Sequence, residues 1–213
     1  ESYAALGDDE NTLAQWMRVY EEPRTLRVNR ALTAQQIGDW HAEQEEWAEA
    51  IEWYAAALEG SVVESYRADL MYKQGLFANS AGETERARAY WQTVLDEYPG
   101  ESAALEAVTQ LEQVGGAFTP LELGDLYLAN EQYTNAGAQY VAALEAEAHI
   151  AYGHIGLARA TEANGNLSGA VAEWIKIVET HPESTDLYPE AWYNIGRLQL
   201  ALGATTEAFA AWQ

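Results

Sequence analysis

A short segment that recurs four times along the chain does most to limit the folds available to it. In every copy a glycine stands nine residues before a tryptophan, and a proline closes each of the three complete copies. Recurrence at a fixed spacing is the signature of a repeat architecture, in which similar units stack on one another. The glycine–tryptophan pairs are Gly7/Trp16, Gly82/Trp91, Gly165/Trp174 and Gly203/Trp212.

Each copy is predicted to be the second helix of a helical hairpin. Ala87, Trp91 and Val94 fall at i, i+4 and i+7, which is one face of an α-helix. The glycine suits a tight turn, and Pro99 stops the helix because proline lacks a backbone N–H. A second helical stripe, centred on Gly75, precedes the turn. Such a hairpin cannot bury its own apolar face, so we expect the copies to stack.

The pattern resembles the tetratricopeptide repeat (TPR) family, whose unit is a helix–turn–helix of about 34 residues. That family has a small residue in the first helix, a small residue and an aromatic in the second, and often a closing proline. The resemblance covers nearly the whole chain and implies an all-α, right-handed α-solenoid of stacked helix-turn-helix hairpins. The matching sets are Gly38/Ala50/Tyr54/Ala57, Gly75/Ala87/Trp91/Pro99, Gly124/Ala136/Tyr140/Ala143 and Ala158/Ala170/Trp174/Pro182, with partial matches at Gly196/Ala208/Trp212 and Thr12/Trp16/Val19.

The repeats predict how the chain is organised. We expect one continuous solenoid with a kink or subdomain boundary at an inserted helix. Thr33 with Gln36, and Thr119 with Glu122, can each form a helix-capping box. The chain opens and closes inside repeats, so we expect a fragment or a processed chain. The predicted segments are a partial repeat at 1–23, a linker at 24–30, two repeats at 31–99, the inserted helix at 101–114, two repeats at 117–182 and a truncated repeat at 189–213.

No residue pattern in the chain indicates catalysis, a metal or a cofactor. Cysteine is absent, which excludes disulfides, thiolate nucleophiles and cysteine-based zinc sites. His149 and His154 are five residues apart, not the four that place two ligands on one helix face. Glu45, Glu49 and Glu52 are interpreted as a solvated helix face rather than a carboxylate site. We therefore predict a protein that is not an enzyme.

The charge of the chain restricts its partners. The formal net charge is −23, and no lysine or arginine occurs between Tyr90 and Ala158. Nucleic acids and anionic membranes both require a basic surface, so neither is a predicted partner. No stretch approaches the roughly 20 apolar residues of a membrane span, so no direct membrane insertion is predicted. Two explanations of the acidity stay open: attraction of a basic protein or peptide, or adaptation to high salt or to solubility.

The resemblance also implies where a partner binds, because the first helices of successive TPRs line a concave groove. The Lys and Asn clamp that some members use for a peptide carboxylate is missing. Arg159 and Arg197 stand at the same place in adjacent repeats and can hold one acidic side chain, which is a hypothesis. The implied groove residues are Gln35, Asp39, Glu43, Asp69, Tyr72, Asn79, Leu121, Asp125, Leu128, Tyr152, Arg159, Glu162, Glu190, Tyr193 and Arg197.

The resulting functional prediction is a non-catalytic protein–protein interaction scaffold that presents a largely acidic groove to a protein or peptide. One alternative is a structural or assembly subunit of a larger envelope complex, packing through its convex face or ends. Another is a glycan-binding accessory of polysaccharide export that uses Trp40, Trp47 and Trp192. The segment Gly82–Ser102 is similar in style to TPR proteins of the bacterial cell envelope, which implies a periplasmic or envelope location.

Overall fold

The computed structural model describes residues 9–146, 149–181 and 183–213. Within those ranges the chain forms twelve α-helices and no β-strand. The described residues up to Ala117 form one compact unit, and those from Phe118 onward form a second. Of the sequence predictions, the turn at Gly7, the start of the first partial repeat and the closing Pro182 lie outside the described residues.

The first unit is a stack of helical hairpins. Helix α2 packs on α3 and α4 packs on α5, while α3 also packs on α4. Helix α6, which matches the predicted inserted helix, packs on both α4 and α5 and so occupies the place of a next first helix. The helices are α1 Asp9–Glu21, α2 Arg27–Glu43, α3 Trp47–Gly60, α4 Glu64–Ser80, α5 Thr84–Glu97 and α6 Ser102–Gln113.

The second unit has the same construction. Every helix packs on the next one in the chain, and α7 also packs on α9 across the intervening α8. Both units are therefore stacks of α-helical hairpins, which confirms the predicted all-α solenoid class. The elements are α7 Pro120–Ala129, α8 Tyr133–Glu145, α9 Ile150–Ala163, α10 Leu167–Thr180, a 3-10 turn at Thr185–Leu187, α11 Tyr188–Ala201 and α12 Thr205–Ala211.

The recurring glycine supplies a left-handed residue in the turn of the tryptophan-type hairpins. Gly82, Gly165 and Gly203 have φ of +80°, +85° and +81°, a left-handed conformation that glycine adopts without strain. In the two hairpins whose aromatic is tyrosine, Glu45 and Glu131 occupy that position with φ of 60° and 58°. Glu45 therefore lies in a turn and not on the helix face that its spacing suggested, although it is exposed, as predicted.

In four of the five described hairpins the aromatic of the second helix lies against a glycine of the first helix. A Cβ added to Gly75 would lie 2.3 Å from Trp91 Nε1, and one added to Gly38 would lie 2.6 Å from Tyr54 Cδ2. The close approach lets the Trp91 indole donate a hydrogen bond to the backbone oxygen of Tyr72 at 3.2 Å. Both rings are 0% exposed, so these contacts form the core of their hairpins.

The hairpin of α9 and α10 departs from this arrangement. Ala158 replaces the glycine there, and Trp174, which is 1% exposed, has a buried indole nitrogen without a hydrogen-bond partner. In the last hairpin, where Gly196 is restored, the Trp212 indole again donates to a backbone oxygen, that of Tyr193, at 3.3 Å. The glycine therefore decides whether the indole reaches the backbone of the first helix.

One of the two predicted capping boxes is confirmed and the other is wrong. The Glu122 backbone N–H donates to Thr119 Oγ1 at 3.3 Å, and the Thr119 backbone N–H donates to Glu122 Oε2 at 2.7 Å. Thr33 is instead buried inside α2, because that helix begins at Arg27. The predicted linker at 24–30 thus contributes its last residues to α2, where the Arg27 side chain donates to the backbone oxygen of Glu59 at the end of α3.

No helix of the described ranges has both the length and the hydrophobicity needed to cross a lipid bilayer.

Replacing Gly75 with alanine tests the glycine–aromatic contact. The added methyl must displace the Trp91 ring, so we expect the free energy of unfolding to fall by about 1–3 kcal/mol. Gly137→Ala is the matched control, because its Cβ would meet only Leu157 Cδ1, at 3.8 Å. That variant should be unchanged or gain up to about 1 kcal/mol from helix propensity. Urea unfolding measures both, and equal stability of the two variants would contradict the contact.

Candidate functional site

In the first unit the predicted groove residues of α2 and α4 meet around two tyrosine hydroxyls. The Tyr54 hydroxyl donates to Asp39 Oδ1, and the Tyr66 hydroxyl donates to Gln35 Oε1 at 2.7 Å. Burial, and then the neighbouring carboxylate Asp39, raise the pKa of Tyr54. Burial and the charges of Asp39 and Asp69 raise the pKa of Tyr66 as well. Both phenols therefore stay protonated and hold their acceptors in place.

The acidic surface of this unit continues onto α6. Tyr72 is buried at 9% exposure, and burial followed by the charge of Glu106 on α6 raises the pKa of its hydroxyl. Asp69 forms an ion pair with Lys73, one helical turn away, at 3.1 Å. We call Gln35, Asp39, Asp69, Tyr66 and Glu106 the acidic face. The predicted groove residues Glu43 and Asn79 lie exposed near the ends of α2 and α4, outside this face.

Most basic residues of the first unit are engaged elsewhere. Arg67 donates to the backbone oxygen of Leu58, in the last turn of α3, at 2.7 Å. It also donates to that of Ser61, directly after the helix, at 3.1 Å. Arg30 donates to the backbone oxygen of Glu22, and Arg88 to that of Val114. The last carbonyls of a helix lack intrahelical donors and carry partial negative charge, so they attract cations. Among the described residues, only Lys73 forms an ion pair with a carboxylate of the acidic face.

In the second unit one tyrosine contact repeats that of the first. The Tyr140 hydroxyl donates to Asp125 Oδ1 at 2.7 Å, as Tyr54 does to Asp39. Burial, followed by the bond to Asp125, raises the pKa of Tyr140. The predicted groove residues Leu121 and Leu128 are half-buried and pack against the cluster that contains Tyr140, so they belong partly to the core.

Four of the other predicted groove residues of this unit form crossed ion pairs between α9 and α11. Arg159 on α9 donates to Glu190 Oε1 on α11 at 2.7 Å. Arg197 on α11 donates to both carboxylate oxygens of Glu162 on α9, each at 2.7 Å. Each arginine thus already has a carboxylate of the same unit. The hypothesis that the two arginines share one acidic ligand stays a prediction.

The aromatic side chains differ in exposure. Tyr152 and Tyr193 are 53% and 60% exposed, in keeping with contact residues. Of the tryptophans considered for glycan binding, Trp47 stacks on Phe77 with ring centroids 6.1 Å apart, and Trp40 is half-buried. Trp192 alone of those three is exposed, at 42%.

Sequence reasoning missed Tyr66 and the role of the Tyr54 and Tyr140 hydroxyls. A signal was present, because each of the two tyrosine-type hairpins has Asp directly after the glycine of its first helix, as in Gly38-Asp39 and Gly124-Asp125. The ion pairs between α9 and α11 join residues 31 and 35 positions apart, and no local pattern indicates them.

In the described ranges, no three histidine or carboxylate side chains are placed to hold a metal ion. His154 Nδ1 lies 2.8 Å from Glu173 Oε2, while the His149 ring contacts Tyr152. The two histidines therefore have separate partners.

The chain is similar to known tetratricopeptide repeat proteins. Two family models, both described as tetratricopeptide repeat, match residues 69–100 and 121–185. A search of curated protein sequences gives no match.

Solved structures with a similar fold include a tetratricopeptide repeat protein from Parabacteroides merdae, at 16% identity and a TM-score of 0.41 over 98% of this chain and 86% of that one. The C-terminal part of a TPR repeat-containing protein from Cytophaga hutchinsonii matches at 16% identity and a TM-score of 0.43, over 99% and 90% of the two chains. The TPR2AB domain of yeast Sti1 in its pHSP90 complex matches at 14% identity and a TM-score of 0.43, over 98% and 83%.

The raised pKa values of Tyr54 and Tyr140 predict how stability depends on alkaline pH. Above the ordinary phenol pKa of about 10, the unfolded chain loses protons that the folded chain retains, so stability falls as pH rises. In Tyr54→Phe/Tyr140→Phe this fall should be shallower, by up to about 1.4 kcal/mol per pH unit for each phenol removed. Urea unfolding between about pH 8 and about pH 11 measures it. Identical slopes for the variant and the parent chain would refute the assignment.

Proposed function

We propose that this chain, which belongs to the tetratricopeptide repeat family, is a non-catalytic protein–protein interaction scaffold whose acidic face receives a basic segment of a partner. The observation that carries the proposal is the acidic face itself. Carboxylates from the alternate helices α2, α4 and α6, namely Asp39, Asp69 and Glu106, raise the pKa of the tyrosine hydroxyls near them.

The tyrosine contacts prepare this face for a cationic ligand. A carboxylate has about four lone-pair positions, and the Tyr54 hydroxyl uses one of those on Asp39. The remaining positions accept N–H donors of a lysine or an arginine. Because Tyr54 is buried and fixed, Asp39 is held in one orientation before binding, which lowers the entropy cost of association.

The second unit is a poorer site for a basic segment. Its crossed pairs join Arg159 to Glu190 and Arg197 to Glu162, so these two glutamates of the predicted groove are already neutralised. A basic ligand would have to displace a guanidinium of the chain itself. We therefore assign the basic partner to the first unit, with the exposed Tyr152 and Tyr193 of the second unit as further contact residues.

Removing two charges from the acidic face tests the proposal. The probe is a fluorescein-labelled decapeptide of alternating arginine and serine, and binding is read by fluorescence anisotropy at about 0.1 M salt. Asp39→Asn/Asp69→Asn should weaken binding about tenfold, since hydrogen bonds to charged groups contribute about 1.5–3 kcal/mol. Asparagine keeps an acceptor for the Tyr54 hydroxyl, so the fold should be retained.

The control for this experiment is Glu49→Gln/Glu52→Gln, which removes the same charge from the exposed side of α3. It should change the affinity by less than about twofold, because salt screens exposed charges that do not contact the ligand. If both double variants weaken binding equally, the peptide responds only to the net charge of the chain and the acidic face is not a site.

A further inference from the structure

A pocket in the second unit lies apart from every residue of the predicted groove. Helices α10, α11 and α12 line it, and we call it the Trp192 pocket. We propose that it binds the side chain of a lysine presented by a partner protein. The lining residues are Ile175, Glu179, Trp192, Ile195, Gln199, Glu207, Ala210 and Ala211.

The pocket exists because a small residue stands where other hairpins have a large one. The residue directly before the core tryptophan is Tyr90 in α5, Glu173 in α10 and Ala211 in α12. Arg86 donates to the Tyr90 hydroxyl at 3.3 Å, and Glu173 accepts from His154 at 2.8 Å, so polar pairs occupy that place in both earlier hairpins. The methyl group of Ala211 forms no such pair, and the space beside it stays open.

The walls of the pocket fit an aliphatic stem. Trp192, at 42% exposure, supplies an aromatic ring, while Ile175, Ile195 and the two alanines supply methyl and methylene surface. A lysine buries its four methylenes along such surface and keeps its ammonium near water. The ring adds an attraction for a cation placed over its face.

The carboxylates and the Gln199 side-chain oxygen of the pocket can accept hydrogen bonds from a cation. Glu179 and Glu207 are exposed and form no ion pair with any residue in the described ranges, and no basic residue lines the pocket. The side-chain oxygen of Gln199 is buried without a hydrogen-bond donor. An ammonium brings three donors and no acceptor. It is also a compact charge on a flexible stem, which can lie between carboxylates of two helices, whereas arginine favours both oxygens of one carboxylate.

The Trp192 pocket is distinct from the groove of the same unit. Trp192 and Gln199 are seven residues apart and share one face of α11. Tyr193 and Arg197, four residues apart, share a different face, about 100–140° around the helix from Trp192. The Trp192 pocket rests on the proposed scaffold function only because a partner protein has to supply the lysine. The two proposals can therefore fail separately.

The probe for the pocket is the acetylated and amidated peptide Ala-Ala-Lys-Ala-Ala. Its control has norleucine in place of lysine, which keeps the stem and removes the charge. The chain is labelled with ¹⁵N-tryptophan, and the Trp192 indole signal is assigned with Trp192→Phe. We expect a saturable shift of that signal with a Kd of roughly millimolar order, and binding of the norleucine peptide about tenfold weaker or absent.

Three variants of the full chain locate the binding. Glu179→Gln/Glu207→Gln should weaken it about tenfold, while Glu49→Gln/Glu52→Gln, with the same change in charge, should leave it within about twofold. Ala211→Tyr should abolish the shift by filling the pocket. Unchanged signals of the core indoles Trp91 and Trp174 report that each variant is folded.

Several results would overturn the proposal. Equal binding of the lysine and norleucine peptides would show an apolar site. Equal weakening by both carboxylate variants would show attraction to net charge alone. A shift caused by maltose but not by the lysine peptide would show a glycan site.

Loss of the lysine shift in Asp39→Asn/Asp69→Asn would place the binding on the acidic face. Binding of the arginine–serine peptide that depends on Asp39, without any lysine shift at Trp192, would refute the pocket and leave the scaffold function standing.

Discussion

The contact between an aromatic ring and the glycines that face it determines how these hairpins form and stack. A Cβ on Gly124 of α7 would lie 2.7 Å from Tyr140 Cε1, and a Cβ on Gly156 of α9 would lie 2.1 Å from the same atom. One ring is thus enclosed by two helices that each present bare backbone. Truncating such a ring lowers the free energy of unfolding by about 3–5 kcal/mol. Tyr140 therefore holds the two helices of its own hairpin together and also packs that hairpin against the next one.

The choice between tyrosine and tryptophan decides what this core contact does for the surface. A buried tryptophan such as Trp91 donates its N–H to its own hairpin backbone, so its polar atom stays inside. A buried tyrosine extends its hydroxyl further, to Asp39 or Asp125 on the first helix. The tyrosine-type hairpins therefore couple the core to a predicted binding face, and the orientation of those carboxylates depends on internal packing.

The parts of the structure that depend on local spacing could be predicted from the sequence, and those that depend on distant pairing could not. The glycine-to-tryptophan interval predicts hairpins, and the helix at Ser102–Gln113 follows from its apolar periodicity. The Thr33 prediction fails because Thr33, which resembles an N-cap, lies within the longer helix α2. Arg159 is a predicted groove residue, but its pairing with Glu190 depends on how α9 and α11 pack against each other, which the sequence does not show. The Trp192 pocket stays open because Ala211 has only a methyl side chain. A single alanine in the sequence does not indicate a pocket.

The unpaired indole of Trp174 has a consequence for cooperativity. A buried N–H without an acceptor costs about 1–3 kcal/mol, so the Trp174 indole lowers the stability of the α9–α10 hairpin. In a stacked array the stability is the sum of each unit and its interfaces. This hairpin contacts both α8 and α11, so part of its stability comes from its interfaces with the neighbouring helices. Loss of either interface is therefore expected to destabilise the α9–α10 hairpin as well.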